Sequence, residues 1–235
     1  MTSRAAVDLT GTASTPAEGA ERREGARQGG VRSRAADDPP GAGRATAWIL
    51  VVSGALGLLA SFVITVDKFR LLEDPGFRPA GSINPVLSCT NVMSSPQASV
   101  FGFANPLLGL AGYGAVTVIG FGLLAGARHR RWYWIGLNLA TLAGAGFCMW
   151  LMVQALYSIG ALCLWCVLAW AATIAMFWCT TLHNLRHGIV PAPRRLVIGM
   201  LEFPWAVPVT WYLLIVLLIA ARFWSSWQSL LRPGP

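Results

Sequence analysis

The chain has 235 residues, 55% of them hydrophobic and only 12% charged, with a formal net charge of +8. A soluble domain of this length needs more charged surface than that, so a compact soluble core is excluded. The basic residues stand beside acids near the N-terminus or in short clusters between apolar runs. That distribution follows membrane topology and not phosphate binding, and no nucleic-acid partner is expected.

Residues 1–44 hold seven Arg and six Asp or Glu, no aromatic residue, and only Val7, Leu9 and Val31 as large aliphatics. Such a segment cannot bury enough apolar surface to offset its ordering entropy, and it is expected to be a disordered cytoplasmic tail. No cleaved signal peptide is expected, since the first apolar run starts only near Ala45 and is too long for one. Arg22-Arg23 is read as part of the charged tail.

A bilayer core takes roughly 20 apolar helical residues to cross. Five runs qualify: Ala45–Val66, Pro106–Ala127, Trp132–Tyr157, Ala161–Leu182 and Pro204–Phe223. The fold class expected is therefore an all-α membrane protein, a four-helix transmembrane bundle plus a fifth C-terminal transmembrane helix. The domain division expected is the tail (1–44), a four-helix domain (45–200) with a long loop over 67–105, and the fifth helix with a short outer tail (201–235). Arg128–Arg131 and His183–Arg195 carry three Arg each and no acid, whereas Asp67–Asn105 balances three basic against three acidic residues. Basic loops stay in the cytoplasm. The expected topology is multi-pass in the plasma membrane, N-terminus inside, with the 67–105 loop and the start of the fourth helix sharing the outer face. Disulfides persist in that outer compartment.

The five cysteines are Cys89, Cys148, Cys163, Cys166 and Cys179. Cys163 and Cys166 are three apart, so on a helix they share one face within disulfide reach. They fall in the first turn of the fourth run, where unpaired N–H groups and the helix dipole favour a thiolate. Cys89 faces them from the loop. Cys148 and Cys179, within spans, are assigned to packing. A dithiol just inside a bilayer has a natural electron acceptor in a lipid quinone, which is also a two-electron couple and lies well above thiols in potential.

The loop reads Asn84-Pro-Val-Leu-Ser-Cys89-Thr-Asn-Val-Met-Ser-Ser95-Pro-Gln97 and continues Phe101-Gly-Phe-Ala-Asn105-Pro-Leu-Leu-Gly109. Together with the Cys163-x-x-Cys166 pair this resembles the bacterial branch of the vitamin K epoxide reductase family, over about Ala45 to Leu182. The resemblance implies a quinone-linked thiol–disulfide oxidoreductase supporting disulfide formation in exported proteins. Its quinone would be of menaquinone or ubiquinone type. It implies that Cys166 makes the charge-transfer contact with the quinone and that Cys163 exchanges with Cys89. Asn105 would donate to a quinone carbonyl, with Gly109 on the pocket wall and Ser95 matching the family's loop serine. Trp170 stands where the animal enzymes carry a second quinone-bonding Tyr, four residues past the pair.

One departure is sharp. The family has two loop cysteines eight positions apart, and the first would fall at Gly81. The family's fused thioredoxin-like domain is also missing from the expected division. The reductant implied is a separate extracytoplasmic thioredoxin-like, DsbA-like protein. Gly81 leaves three readings open: an alteration that traps a Cys89–Cys163 disulfide, direct attack by a partner thiol on that disulfide, or a degenerate relay. A non-catalytic membrane relative and a small transporter are the rival classes. No metal site is expected, because His129, His183 and His187 sit among Arg, away from the thiols apart from Cys179.

Overall fold

A computed structural model of the chain describes residues 43–79, 81–82 and 86–224. The expected N-terminal tail lies outside these, save Gly43 and Arg44. The described residues are helical, with no β-strand among them.

The first helix, α1 (Arg44–Glu73), runs seven residues past its expected end. The Asp74 N–H closes it on Arg70 O at 2.9 Å, and Pro75 follows, which cannot continue the ladder. The long loop is not featureless. It contains α2 (Cys89–Ser94), whose cap residue Ser88 accepts the Asn91 N–H, and a 3₁₀ turn at Pro96–Ser99. Next come α3 (Asn105–Leu124), opening on Asn105-Pro106, and α4 (Arg131–Val153). A π-helical turn at Gln154–Ile159 extends α4, and Gly160 in the left-handed region (φ 69°) reverses the chain. The fourth long helix, α5 (Leu164–Arg186), is followed by an amphipathic helix α6 (Arg194–Glu202) where a plain loop was expected. The last is α7 (Ala206–Arg222).

α1, α3, α4 with its π turn, and α5 are each long and apolar enough to cross a membrane. Their runs of Leu, Val, Ile, Ala and Gly satisfy every backbone group within the helix, which is what a lipid environment demands. With 17 residues α7 is apolar but shorter. It spans about 25 Å at the helical rise.

Helix α1 is the centre of the bundle: it packs along α3 and α5, and α4 packs on α5. The α1–α3 approach depends on missing side chains. A Cβ on Gly57 would collide with the Tyr113 ring, and one on Gly109 with the Ser61 hydroxyl. Small residues at a helix contact let backbones close in where no hydrophobic drive exists between helices. Helix α7 lies against α5, where Trp211, Tyr212 and Ile219 pack on a cluster containing Leu156, Trp170 and Ile174. The Tyr212 hydroxyl donates to Ala171 O, and Arg222 Nε donates to Leu156 O at 3.0 Å.

Candidate functional site

The start of α5 and the loop are stitched together. Leu87 pairs with Leu162 in a parallel bridge, and the Leu162 N–H donates to Val86 O at 2.8 Å. Cys89 stands two residues past Leu87, and Cys163 one residue past Leu162. The Cys89 N–H is held by Ser82 Oγ at 3.1 Å. These contacts bring together two sulfurs 74 residues apart: Cys89 Sγ donates to Cys163 Sγ across 2.7 Å. A disulfide is about 2.05 Å long, so the pair is unbonded but needs little motion to bond. Cys166, three residues on, packs against the same small cluster as Cys89 and Cys163, so the three cysteines gather at one place.

Cys163 is the cap residue of α5 and not in its first turn (φ −107°, ψ 124°); Cys166 is the third helical residue. At Cys163 the thiolate expected at this helix start is not favoured, and the loop thiol of Cys89 is pushed up as well. The Cys89 thiol is pushed well above the ordinary range, first by its hydrogen bond to Cys163 and then by burial, although the Leu164 and Trp165 N–H groups pull the other way. Cys163 is pushed up to about 12, first by its bond to Cys166, while the bond from Cys89 pulls it down. Helix amides do act on the sulfurs, but proton sharing and desolvation outweigh them. Both side chains are fully enclosed, at 0% and 1% exposure.

Behind Cys163 opens a largely apolar cavity of about 280 Å³ between α1, α3, α4 and α5. Six of the seven residues singled out from the sequence line it: Ser95, Asn105, Gly109, Cys163, Cys166 and Trp170. Cys89 does not; it backs onto Cys163. The volume suits a single ring system with one face on Cys166.

Three of these residues are already engaged. Asn105 Oδ1 accepts the Val100 N–H at 3.1 Å and Nδ2 donates to Gln97 O at 2.7 Å, so this amide clamps the 3₁₀ turn that roofs the cavity. One Nδ2 proton remains for a ligand. Ser95 Oγ donates to Val92 O and closes α2. Gly109 forms the cavity wall and also the tight contact with Ser61.

Several wall residues escaped sequence reasoning. Cys148 was assigned to packing, but it lines the cavity and meets Thr173 Oγ1 at 3.6 Å. Thr173 shares a 2.6 Å bond with the Tyr113 hydroxyl, which also reaches Ala169 O at 3.1 Å. Lys68, the single lysine of the chain, reaches the cavity from α1. Helical periodicity places none of these, because each contact crosses between helices. Cys179 lies apart and donates to Thr46 O at 3.8 Å.

Gly81 adopts φ +95°, and a Cβ built there would sit 3.4 Å from Cys89 Sγ and 3.7 Å from Trp165 Nε1. The residue that breaks the loop pattern therefore lies directly beside the loop sulfur.

A family model described as the vitamin K epoxide reductase family matches residues 48–181, covering α1 through nearly all of α5. No curated protein matches the chain.

Proposed function

From the premise that the chain belongs to the vitamin K epoxide reductase family, an oxidoreductase family, we propose that this multi-pass membrane protein is a quinone-linked thiol–disulfide oxidoreductase that reoxidises a separate thioredoxin-like protein on the outer face. One observation carries the reading: Cys89 meets Cys163, and Cys163 and Cys166 together stand on the wall of an apolar cavity. A relay of two-electron exchanges needs that order.

In the oxidised state Cys163 and Cys166 are joined. The Cys89 thiolate attacks Cys163, forms the Cys89–Cys163 bond and releases Cys166 as a thiolate facing the cavity. A partner thiolate then attacks Cys89 and releases Cys163. The partner's second thiol displaces Cys89 and leaves with the disulfide, so the partner has lost two electrons and two protons. A quinone held in the cavity would take up the two electrons as Cys163 and Cys166 close their bond again. Asn105 holds the roof and offers one N–H to a quinone oxygen, while Trp170 packs beside Cys166. Because Gly81 stands beside Cys89 where the family has its first loop cysteine, the resolving thiol comes from the partner. The partner is thus a vicinal dithiol, as a DsbA-like protein is. Quinones of menaquinone or ubiquinone type both fit the chemistry.

Orientation follows the Arg-rich loops: residues 128–131 and 183–195 cytoplasmic, the cysteine loop outside, in the plasma membrane. The full burial of Cys89 favours a second reading, a membrane relative that no longer turns over. One experiment separates them. Purified protein in lipid nanodiscs is given dithiothreitol and a short-chain quinone. Turnover by the natural chain that falls by at least about 10³-fold in Cys166→Ser, the scale on which covalent thiol chemistry is lost, supports the enzyme. No turnover in the natural chain, or turnover kept by Cys166→Ser, supports the inactive relative.

A further inference from the structure

We propose that Lys68 is the acid that completes quinone reduction, handing a proton to a quinone oxygen in the cavity and recovering it from solvent at the loop end of the bundle. The inference rests on the cavity being the quinone site. The need for such an acid comes from proton balance. The reacting pair is a Cys163 thiol and a Cys166 thiolate. Closing their disulfide yields two electrons and one proton, whereas a quinone becoming a quinol takes up two electrons and two protons. The second proton must come from a donor that reaches the cavity.

Among the described residues lining the cavity, Lys68 is the only one with a charged side chain. Its ammonium donates to Ser99 Oγ at 2.7 Å and approaches Ala98 O at 3.5 Å. An ammonium has three N–H donors, so one remains for the cavity. Lys68 also lines a second hollow, formed by the end of α1 and the loop with Phe69, Leu72, Ser94 and Ser99. It thus touches the reaction space on one side and the loop surface on the other, as a proton carrier must. The other ionisable groups on the cavity wall are the thiols of Cys148, Cys163 and Cys166 and the Tyr113 phenol. The phenol is bound to Thr173 and Ala169. The elements packed over Lys68, α2 and the Pro96–Ser99 turn, contain no charged residue. On its own helix Asp67 precedes Lys68 directly and Arg70 follows two residues on.

A plain structural role is the alternative, because Lys68 and Asn105 grip the same turn. Lys68→Arg and Lys68→Gln keep a donor for Ser99 but cannot surrender a proton at neutral pH. With dithiothreitol and a short-chain quinone, both should lose at least about tenfold in kcat, the lower end of general-acid effects or just below it, with KM changed by less than about threefold. Lys68→Ala should lose as much and regain rate when methylammonium is added. Either Lys68→Arg or Lys68→Gln within twofold of the natural kcat would make Lys68 a pin for the turn and overturn the proposal. So would Lys68→Ala that methylammonium does not restore. Failure of the natural chain to reduce quinone at all would instead sink the quinone reading on which this one stands.

Discussion

The two ends of the helix bundle are built from similar residues and come out differently. At the end away from the loop, Trp134 stacks on His183 at 3.7 Å between ring centres, and Asn184 Nδ2 donates to Trp134 O. Asn138 bridges Thr180 and Thr181, and Leu50, Trp134 and Leu137 fill the centre. Cys179 lies there, with a backbone carbonyl as its contact. At the loop end the helices spread round a cavity, and three cysteines gather beside it. A buried thiol is an inert packing residue in the first setting and a redox candidate in the second. What changes its chemistry is a second sulfur within reach and a volume for an electron acceptor beside it.

The comparison can be broken most completely by topology. A membrane-impermeant thiol label on intact cells should modify Gly76→Cys, near the loop end, and leave Gly188→Cys untouched, an all-or-none difference. The reverse pattern would put the three cysteines in the reducing compartment. Next in size, Cys89→Ser should abolish turnover with a thioredoxin-like dithiol partner while keeping oxidation of dithiothreitol, and Cys179→Ala should change neither by more than about twofold. Equal losses in the two variants would erase the distinction between the ends. Gly81→Cys sharpens it further. Its sulfur would lie beside Cys89, so partner-driven turnover should rise several-fold as a resolving thiol in the same chain becomes available, at some cost from forcing a side chain onto φ +95°. Unchanged turnover, with Cys89 still essential, would mean that the partner's own second thiol suffices. Smallest, Asn105→Ala should raise the apparent quinone KM about threefold to tenfold, matching a net hydrogen bond of about 0.5–1.5 kcal/mol. A KM that stays put while thermal stability falls would restrict Asn105 to clamping the turn.

Much of this was readable in the sequence because it is local. Length and apolarity mark the spans, and Cys163-x-x-Cys166 announces itself by spacing. Asn105, Gly109 and Trp170 came from the family resemblance, and the structure sets them on the cavity wall. The rest is not local. Nothing near Cys148 in sequence says that Thr173 faces it, and nothing near Lys68 says that its ammonium ends on Ser99. The loop was read as one polar stretch because α2 is six residues long, too short to leave a periodic signal, and is fixed by its Ser88 cap and the Leu87–Leu162 bridge. The α6 helix was missed for a related reason, since its two Arg counted as loop charge. The thiolate expectation weighed the helix start without the sulfurs beside Cys163, which bear on its thiol as strongly.

The π turn at Gln154–Ile159 has an architectural consequence. Its wider winding changes which amide each carbonyl can meet, and within it the Leu156 carbonyl accepts from Arg222, at the far end of α7. Gln154, Ala155 and Ile159 of that same turn are cavity wall. The family match stops at residue 181, before α7 begins. The cavity wall is therefore braced from outside the matched residues, so a change in the last helix could reshape the cavity while leaving every sulfur in place.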